Sequence, residues 1–304
     1  MPQSKITVTK TAIKLPAKLM QLVEHKLPAD KEIITIDLFA PVCIANAFRR
    51  CLINEIPVNV LTAKIEDVFT DCSVPNDCII NRLESIPIYQ HSKLKGSFMY
   101  KNNTDDLVTI YNTDLELTTD NKSNYKFEDV YVLTKLRAGK TLKIENITTN
   151  ILYGGTAIPI ENMIYREIDS DKHYYLSFNT VGIYKSGELV KVMLDTLLGR
   201  LTRIKDAIKE ITEPTITDDI EYSVLNDDIN ILKIFNENIT ITNIIVYMCF
   251  EFDKGVTLIN TNISHITEND VLIKWRHKDK LRYIVAGIDA GLSVLTKLST
   301  ELKI

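Results

Sequence analysis

From Glu32 to Leu38 the run EIITIDL alternates apolar and polar positions, the two-residue period of a half-buried strand. Pro41 then introduces a helix containing ANAFRRCLINEIP, in which Ile44, Phe48 and Leu52 recur every four residues as one apolar stripe, and Pro57 ends it. Arg49 and Arg50 interrupt this helix and project away from the centre of the stripe. Beyond the proline, Leu61, Ala63 and Ile65 alternate with Thr62, Lys64 and Glu66, which predicts a second strand. The chain continues in this style to about residue 172, with strand candidates such as VTIYNTDLEL and TLKIENI between Asn, Asp and Lys turns. That stretch reads as a mostly β region.

At Ser186 the period changes. Leu189, Met193, Leu197, Leu201, Ile204, Ile208 and Ile211 follow one another at four- and three-residue steps, the apolar face of a helix of roughly seven turns. Ser186 is placed to cap it and Pro214 to close it. So long a stripe needs a partner, and Leu281, Ile284, Ile288, Leu292, Leu295, Leu298 and Leu302 supply a second one. Between the two helices the pattern predicts a strand at IEYSVLN, a short helix from Ile231 to Asn236, and strands at NIIVYMCFEF and DVLIKWRH, with Trp275 on the side of Val271 and Ile273. Strand, helix, strands and long helix thus occur twice, once around the β region and once without it. Two α+β units, each ending in a long helix, predict an internal pseudo-dimer packed helix to helix.

Composition narrows the function more than the fold. The chain has 304 residues, 45% hydrophobic and 25% charged, enough apolar material for more than one core. A net charge of -4 gives no whole-chain attraction to phosphate, which argues against a protein whose main task is gripping nucleic acid. The N-terminal residues lack the apolar centre of a signal peptide, and the longest apolar run, Ile244 to Phe250, is too short to span a bilayer. Five scattered cysteines fit a reducing compartment better than a disulfide framework.

No catalytic constellation emerges. Cys72 and Cys78 lack the pitch of a zinc site and read as ordinary thiols, and His25, His91, His173, His265 and His277 form no metal motif. Gly154-Gly155 lacks the Lys-Ser/Thr of a phosphate loop and reads as a turn. Gly287 and Gly291 lie inside the last predicted helix, where each costs about 1 kcal/mol unless a neighbouring helix approaches closely. Asp218-Asp219 and Asp227-Asp228 are adjacent carboxylates whose side chains diverge in an extended strand. No nucleophile stands with a base, so catalysis by this chain alone is not expected.

One group of motifs resembles a known family. ANAFRRCLINEIP, followed by AKIEDVFTDCSVPNDCIINRLESIPI, resembles the signature of α-type subunits of multisubunit RNA polymerases. That signature is a helix beginning N-A-x-R-R and ending in I-P, then an R-L-x-x-I-P segment. LRAGKTLKIENITTNILYGGTAIPI is similar to the family's L-x-x-G strand and the loop after it. SFNTVGIYKSGELVKVMLDTLLGRL is similar to its strand and long dimerisation helix. INTNISHITENDVLIKWRHKDKL resembles the core of the small, eleventh-subunit type of α-like chain, with His265 in the place of that chain's histidine. Both units fall in one polypeptide, an arrangement similar to the fused subunit of nucleocytoplasmic large DNA viruses, the African swine fever virus type included.

The resemblance implies an α+β fold with two RNA polymerase α-subunit-like dimerisation units forming an intramolecular pseudo-dimer. The large unit would comprise residues 1–56 and 173–212, the mostly β insert domain 57–172, and the small unit 213–304. Leu189, Met193, Leu197 and Leu201 would face Leu281, Ile284, Ile288, Leu292 and Leu295 across the pseudo-dimer. The implied function is a non-catalytic subunit of DNA-directed RNA polymerase, an assembly platform for the two largest catalytic subunits in viral transcription. Arg49, Arg50, Ile53, Asp77, Arg82, Leu83 and Pro87 would form the subunit interface, with Arg50 the stronger contact to the second-largest subunit. A small tenth-subunit-like protein is the further partner implied. DNA and RNA would be met only through the complex, no membrane is involved, and the chain would be a monomer within the assembly, fusion making pairing intramolecular. Host cytoplasm at the viral factory and the virion are the implied locations, with the nucleus as the alternative.

Some family features are missing. IPIYQHSKLKGSF carries no cysteine where many nuclear third-largest subunits have a zinc loop, so zinc is not implied and no cofactor is expected. NDDINILKIFN replaces the small subunit's E-D-H-T-L-G-N, and the sequence ends after its last predicted helix, so promoter recognition is not expected. Two other classes stay open. A free-standing scaffold or dimerisation protein of the same fold would explain the helices but not NRLESIPI. A small-molecule enzyme would require a concave site with perturbed titratable groups.

Overall fold

The computed structural model describes residues 4–12, 32–71, 74–86, 88, 93–127, 130–153, 159–169, 172–181, 183–184, 186–209, 211–225, 228–263 and 270–302. Pro87, His25, His91, His265, Cys72, Asp227 and Gly154-Gly155 lie outside them. The architecture is mixed α+β, with antiparallel sheets and five α-helices among the described residues.

The first sheet joins β1 (Lys5–Ala12), β2 (Glu32–Phe39), β11 (His173–Thr180) and β10 (Ile160–Asp169) in that order. Ile34, Ile36 and Leu38 on β2 and Leu176 and Phe178 on β11 are buried, as the alternation of EIITIDL predicts. β10 pairs with β11 from Ile160↔Thr180 to Asp169↔His173. This corrects the expected insert boundary at 172, because β10 completes the first sheet. α1 (Val42–Asn54) follows β2, and Pro41, whose missing N–H costs nothing at a helix start, precedes it. Ile44, Phe48 and Leu52 are fully buried.

The insert has its own core. Its main sheet runs β3 (Pro57–Thr62), β9 (Thr141–Tyr153), β5 (Leu94–Lys101) and β7 (Glu116–Thr119), with β4 (Val68–Thr70) also paired to β9. β6 (Val108–Tyr111) and β8 (Val132–Leu136) form a separate pair, and α2 (Asn76–Glu84) packs against β3. Leu61, Ile79, Leu83, Leu133, Leu142 and Ile144 belong to this second core. The strand expected through Ile65 stops at Thr62; Ile65 opens a 3-10 turn and is 58% exposed.

The C-terminal sheet is ordered β12 (Thr215–Ile216), β13 (Ile220–Leu225), β14 (Ile229–Ile234), β16 (Val271–Arg276) and β15 (Leu258–Ile263). Two expectations reverse here. The predicted short helix at Ile231–Asn236 is largely strand β14, whose Asn230, Leu232 and Ile234 are buried in strict alternation. The predicted strand NIIVYMCFEF is most of helix α4 (Ile239–Phe252), which buries Ile241, Ile244, Ile245, Met248 and Cys249 at helical spacing. Asn238 caps it by accepting from the Thr240 amide at 2.9 Å.

α3 (Ser186–Lys209) and α5 (Leu281–Glu301) are the two long helices. Leu189, Met193, Leu197, Leu201, Leu281, Ile284, Ile288 and Leu295 are buried, and Leu292 is half-buried against the same core. α5 packs on both α4 and α3, and Lys205 of α3 meets Asp289 of α5 at 2.5 Å. Close approach accounts for the helical glycines. A Cβ on Gly287 would collide with Cys249 Sγ and stand 3.0 Å from the Ile245 carbonyl oxygen, while one on Gly291 would be 3.1 Å from Ile244 Cγ2. The first and C-terminal sheets and these four helices, α1, α3, α4 and α5, contribute to one continuous core running from Ile6 to Leu298. No described helix is long and apolar enough to cross a membrane.

Candidate functional site

The strongest polar feature lies where α1 ends, α3 passes and α4 begins. Glu55 caps the C-terminus of α1, its amide donating to the Cys51 carbonyl at 2.9 Å. Asn236, with φ 51°, turns the chain out of β14, a conformation that Asn tolerates better than most residues. Glu237 follows and is buried, as is Glu55. Two buried carboxylates this near require compensation. Arg200 of α3 supplies it, its guanidinium donating to Glu55 and to both oxygens of Glu237, with Nε at 3.1 and 3.2 Å from the latter. Arg203, one helical turn on, meets Glu237 at 3.3 Å and Asp219 at 3.6 Å.

Thr240 extends the network to the other side. Its hydroxyl donates to Glu55 and accepts from Arg50 Nε at 2.8 Å. Three guanidinium groups, of Arg50, Arg200 and Arg203, thus face three carboxylates, of Glu55, Asp219 and Glu237. Burial works against the charge of Arg200, but hydrogen bonds and charge from Glu237 and then Glu55 outweigh it and push its pKa further up. The cluster borders an open cleft of about 710 Å³, whose rim includes Asn54, Asp195, Gly199 and Asn238. Its carboxylates are committed to guanidinium groups, so the arrangement acts as an ion-pair clasp between the N-terminal and C-terminal parts of the chain.

The expected interface residues divide between the two cores. Arg49 is half-exposed, its Nε and Nη2 donating to Asn46 Oδ1 at 3.1 and 3.0 Å. Arg50 was expected on the outer face; it is half-buried and turned toward α4 through Thr240. Ile53 packs half-buried against the first core. Asp77 is exposed in the first turn of α2, accepting from the Cys78 amide at 3.0 Å, and Arg82 Nη1 donates to the Leu133 carbonyl at 2.6 Å, tying α2 to β8. Leu83 is fully buried in the second core and so offers no surface to a partner, a correction to its expected role. Glu55, Arg200, Arg203, Glu237 and Thr240, which form the clasp, were not among the residues singled out from the sequence.

The remaining reactive groups are quiet. Burial pushes the thiols of Cys43 and Cys249 up to about 12 and that of Cys51 higher still, which leaves them protonated at neutral pH. His277 accepts from the Asp279 amide at Nδ1, 3.1 Å, and its Nε2 lies 3.1 Å from Asp253, so the neutral ring carries its proton on Nε2. Among the described residues no group of three or more His, Cys, Asp or Glu is placed to hold a metal ion. No protein-family model matches the chain, and no curated protein matches its sequence.

Proposed function

We propose that the chain is a non-catalytic subunit of a DNA-directed RNA polymerase, an assembly platform on which the two largest subunits meet. The observation that carries this reading is the sequence likeness at ANAFRRCLINEIP and NRLESIPI, taken together with where those residues fall. Ala45–Asn54 of the first lie in a helix against the shared core, and Asn81–Glu84 of the second end a helix on a separate β unit. The repeated arrangement of a sheet with two helices, joined where α3 and α5 pack, supports reading the molecule as an intramolecular pseudo-dimer. Polymerisation chemistry would then reside in the large subunits.

Arg50 is the wrong residue on which to test docking, because its reversal would set a further carboxylate beside Glu55, across the Thr240 hydroxyl. Arg49 is the better probe, being half-exposed, with its side-chain hydrogen bonds among the described residues going to Asn46 of its own helix. The experiment is co-expression with the candidate second-largest subunit, wild type against Arg49→Glu, read by pull-down and size-exclusion chromatography with circular dichroism to confirm folding. Wild-type complex and loss of it in the folded variant is the expected result. A folded wild-type chain that binds neither large subunit would leave a free-standing scaffold as the better reading.

A further inference from the structure

The run VTIYNTDLEL, expected as one strand, is broken, and the break opens a slot in the insert. β7 pairs with β5 from Leu94↔Thr119 to Ser97↔Glu116. Continued stepwise, that register would set Leu115 opposite Phe98 and Asn112 opposite Lys101. Instead Asn112–Asp114 form a 3-10 turn, held by the Asp114 carboxylate accepting from the Tyr111 amide at 2.8 Å, and Leu115 is buried in the second core. β6 is thereby carried away from β5 and pairs with β8. Among the described residues, β5 from Phe98 onward has no strand on its β7 side, and β6 has a strand on one side only.

An open cleft of about 690 Å³ lies between these two edges. Phe98, Met99 and Tyr100 line one wall and Val108, Thr109 and Ile110 the other. Side chains alternate along a strand, so a cleft touching three successive residues on both walls faces strand edges rather than a sheet face. Strand edges present backbone N–H and C=O groups that another extended segment can pair with. The charged residues lining the cleft, Asp114 and Glu116, are both acidic. Met99 is 70% exposed and adds an apolar contact beside them.

We propose that this slot takes an extended segment of another protein by strand addition, with apolar and basic side chains in alternation and a Lys or Arg at the Asp114–Glu116 end. Main-chain pairing with β5 and β6 supplies the affinity, and the acidic end sets direction and composition. Four β5 residues, Phe98 to Lys101, span about 13 Å at roughly 3.3 Å each, which fits a segment of about four residues. The inference stands apart from the polymerase reading and survives its failure.

The test uses the full chain with a fluorescent peptide, acetyl-Thr-Lys-Val-Lys-Val-Lys-Val-Lys-Thr-amide, read by anisotropy and by amide hydrogen exchange. Binding should slow exchange at least tenfold at the amides of Phe98–Lys101 and Val108–Ile110 that point away from β9 and β8, and Glu116→Lys should weaken it roughly fivefold. A peptide with Glu for every Lys, and one N-methylated at alternate amides, should not bind. Equal binding by the N-methylated peptide would overturn the proposal, since charge alone would then suffice. So would the absence of binding up to about 1 mM, or slow exchange at those outward-pointing amides without peptide.

Discussion

Glu237 shows what a single buried charge does here. Its carboxylate is almost wholly sequestered and meets Arg200 and Arg203, and Arg200 in turn meets Glu55. Glu237→Gln keeps the shape but leaves Arg200 without its bidentate partner and Glu55 facing an excess of positive charge. Breaking a buried pair from one side costs about 3 kcal/mol or more, and urea unfolding should show that loss as a lower midpoint with an unchanged slope. A midpoint within experimental error of wild type would mean that the clasp contributes nothing to stability. Such pairs are hard to read from a sequence because they are not local: Arg200 and Glu55 are 145 residues apart along the chain. The sequence does carry a faint signal, an acid closing the apolar run ANAFRRCLINEIP and two arginines beside the long stripe, but nothing in it pairs them. Arg50 is conspicuous for the same reason, but its direction is not legible because Thr240, its partner, falls between the predicted short helix and the predicted strand NIIVYMCFEF, in residues given no element.

Among the elements, legibility followed length. The stripes of α3 and α5 repeat over 24 and 21 residues, long enough for the 3.6-residue period to stand out. α4 has 14 residues and is apolar on nearly every side, so its composition, rich in Ile, Thr and Phe, favours strand over helix. Burial between the C-terminal sheet and α5 decides it, together with the cap at Asn238. β14 is ambiguous for the converse reason: INILKIFN satisfies both periods over so short a run. The close packing of α4 on α5 gives a sharp contrast between two glycines. Gly287→Ala must drive a methyl into Cys249 and should lower stability by about 1–3 kcal/mol. Gly199→Ala, where a methyl meets nothing within 4 Å, should raise it by about 0.5–1 kcal/mol through helix propensity. Thermal melts of the two variants should move in opposite directions, and a shared direction would contradict the packing described.

At the scale of the whole molecule, the core that joins Ile6 to Leu298 makes the C-terminal part a structural partner of the N-terminal part rather than an appendage. α5 lies on α3, the clasp ties Glu55 to Glu237 through Arg200, and Lys205 meets Asp289, so apolar packing and two separate sets of ion pairs cross the junction. The covalent link between the parts is by contrast slight: after α3 the chain passes through the exposed Thr212, Glu213 and Pro214 before β12. If the apolar interface holds the halves and the link only raises their effective concentration, cutting the link should not separate them. A protease site placed between Thr212 and Glu213 in the full chain tests this after folding. The cleaved protein should elute as one species of unchanged size at native pH, because separating the units would expose the apolar residues that α3 and α5 bury against each other. It should unfold at a lower denaturant concentration than the intact chain, and its midpoint should rise with protein concentration, since refolding has become bimolecular. Fragments that part on cleavage in native buffer would show that the peptide link, not the packing of α3 on α5, keeps the two sheet-and-helix units together.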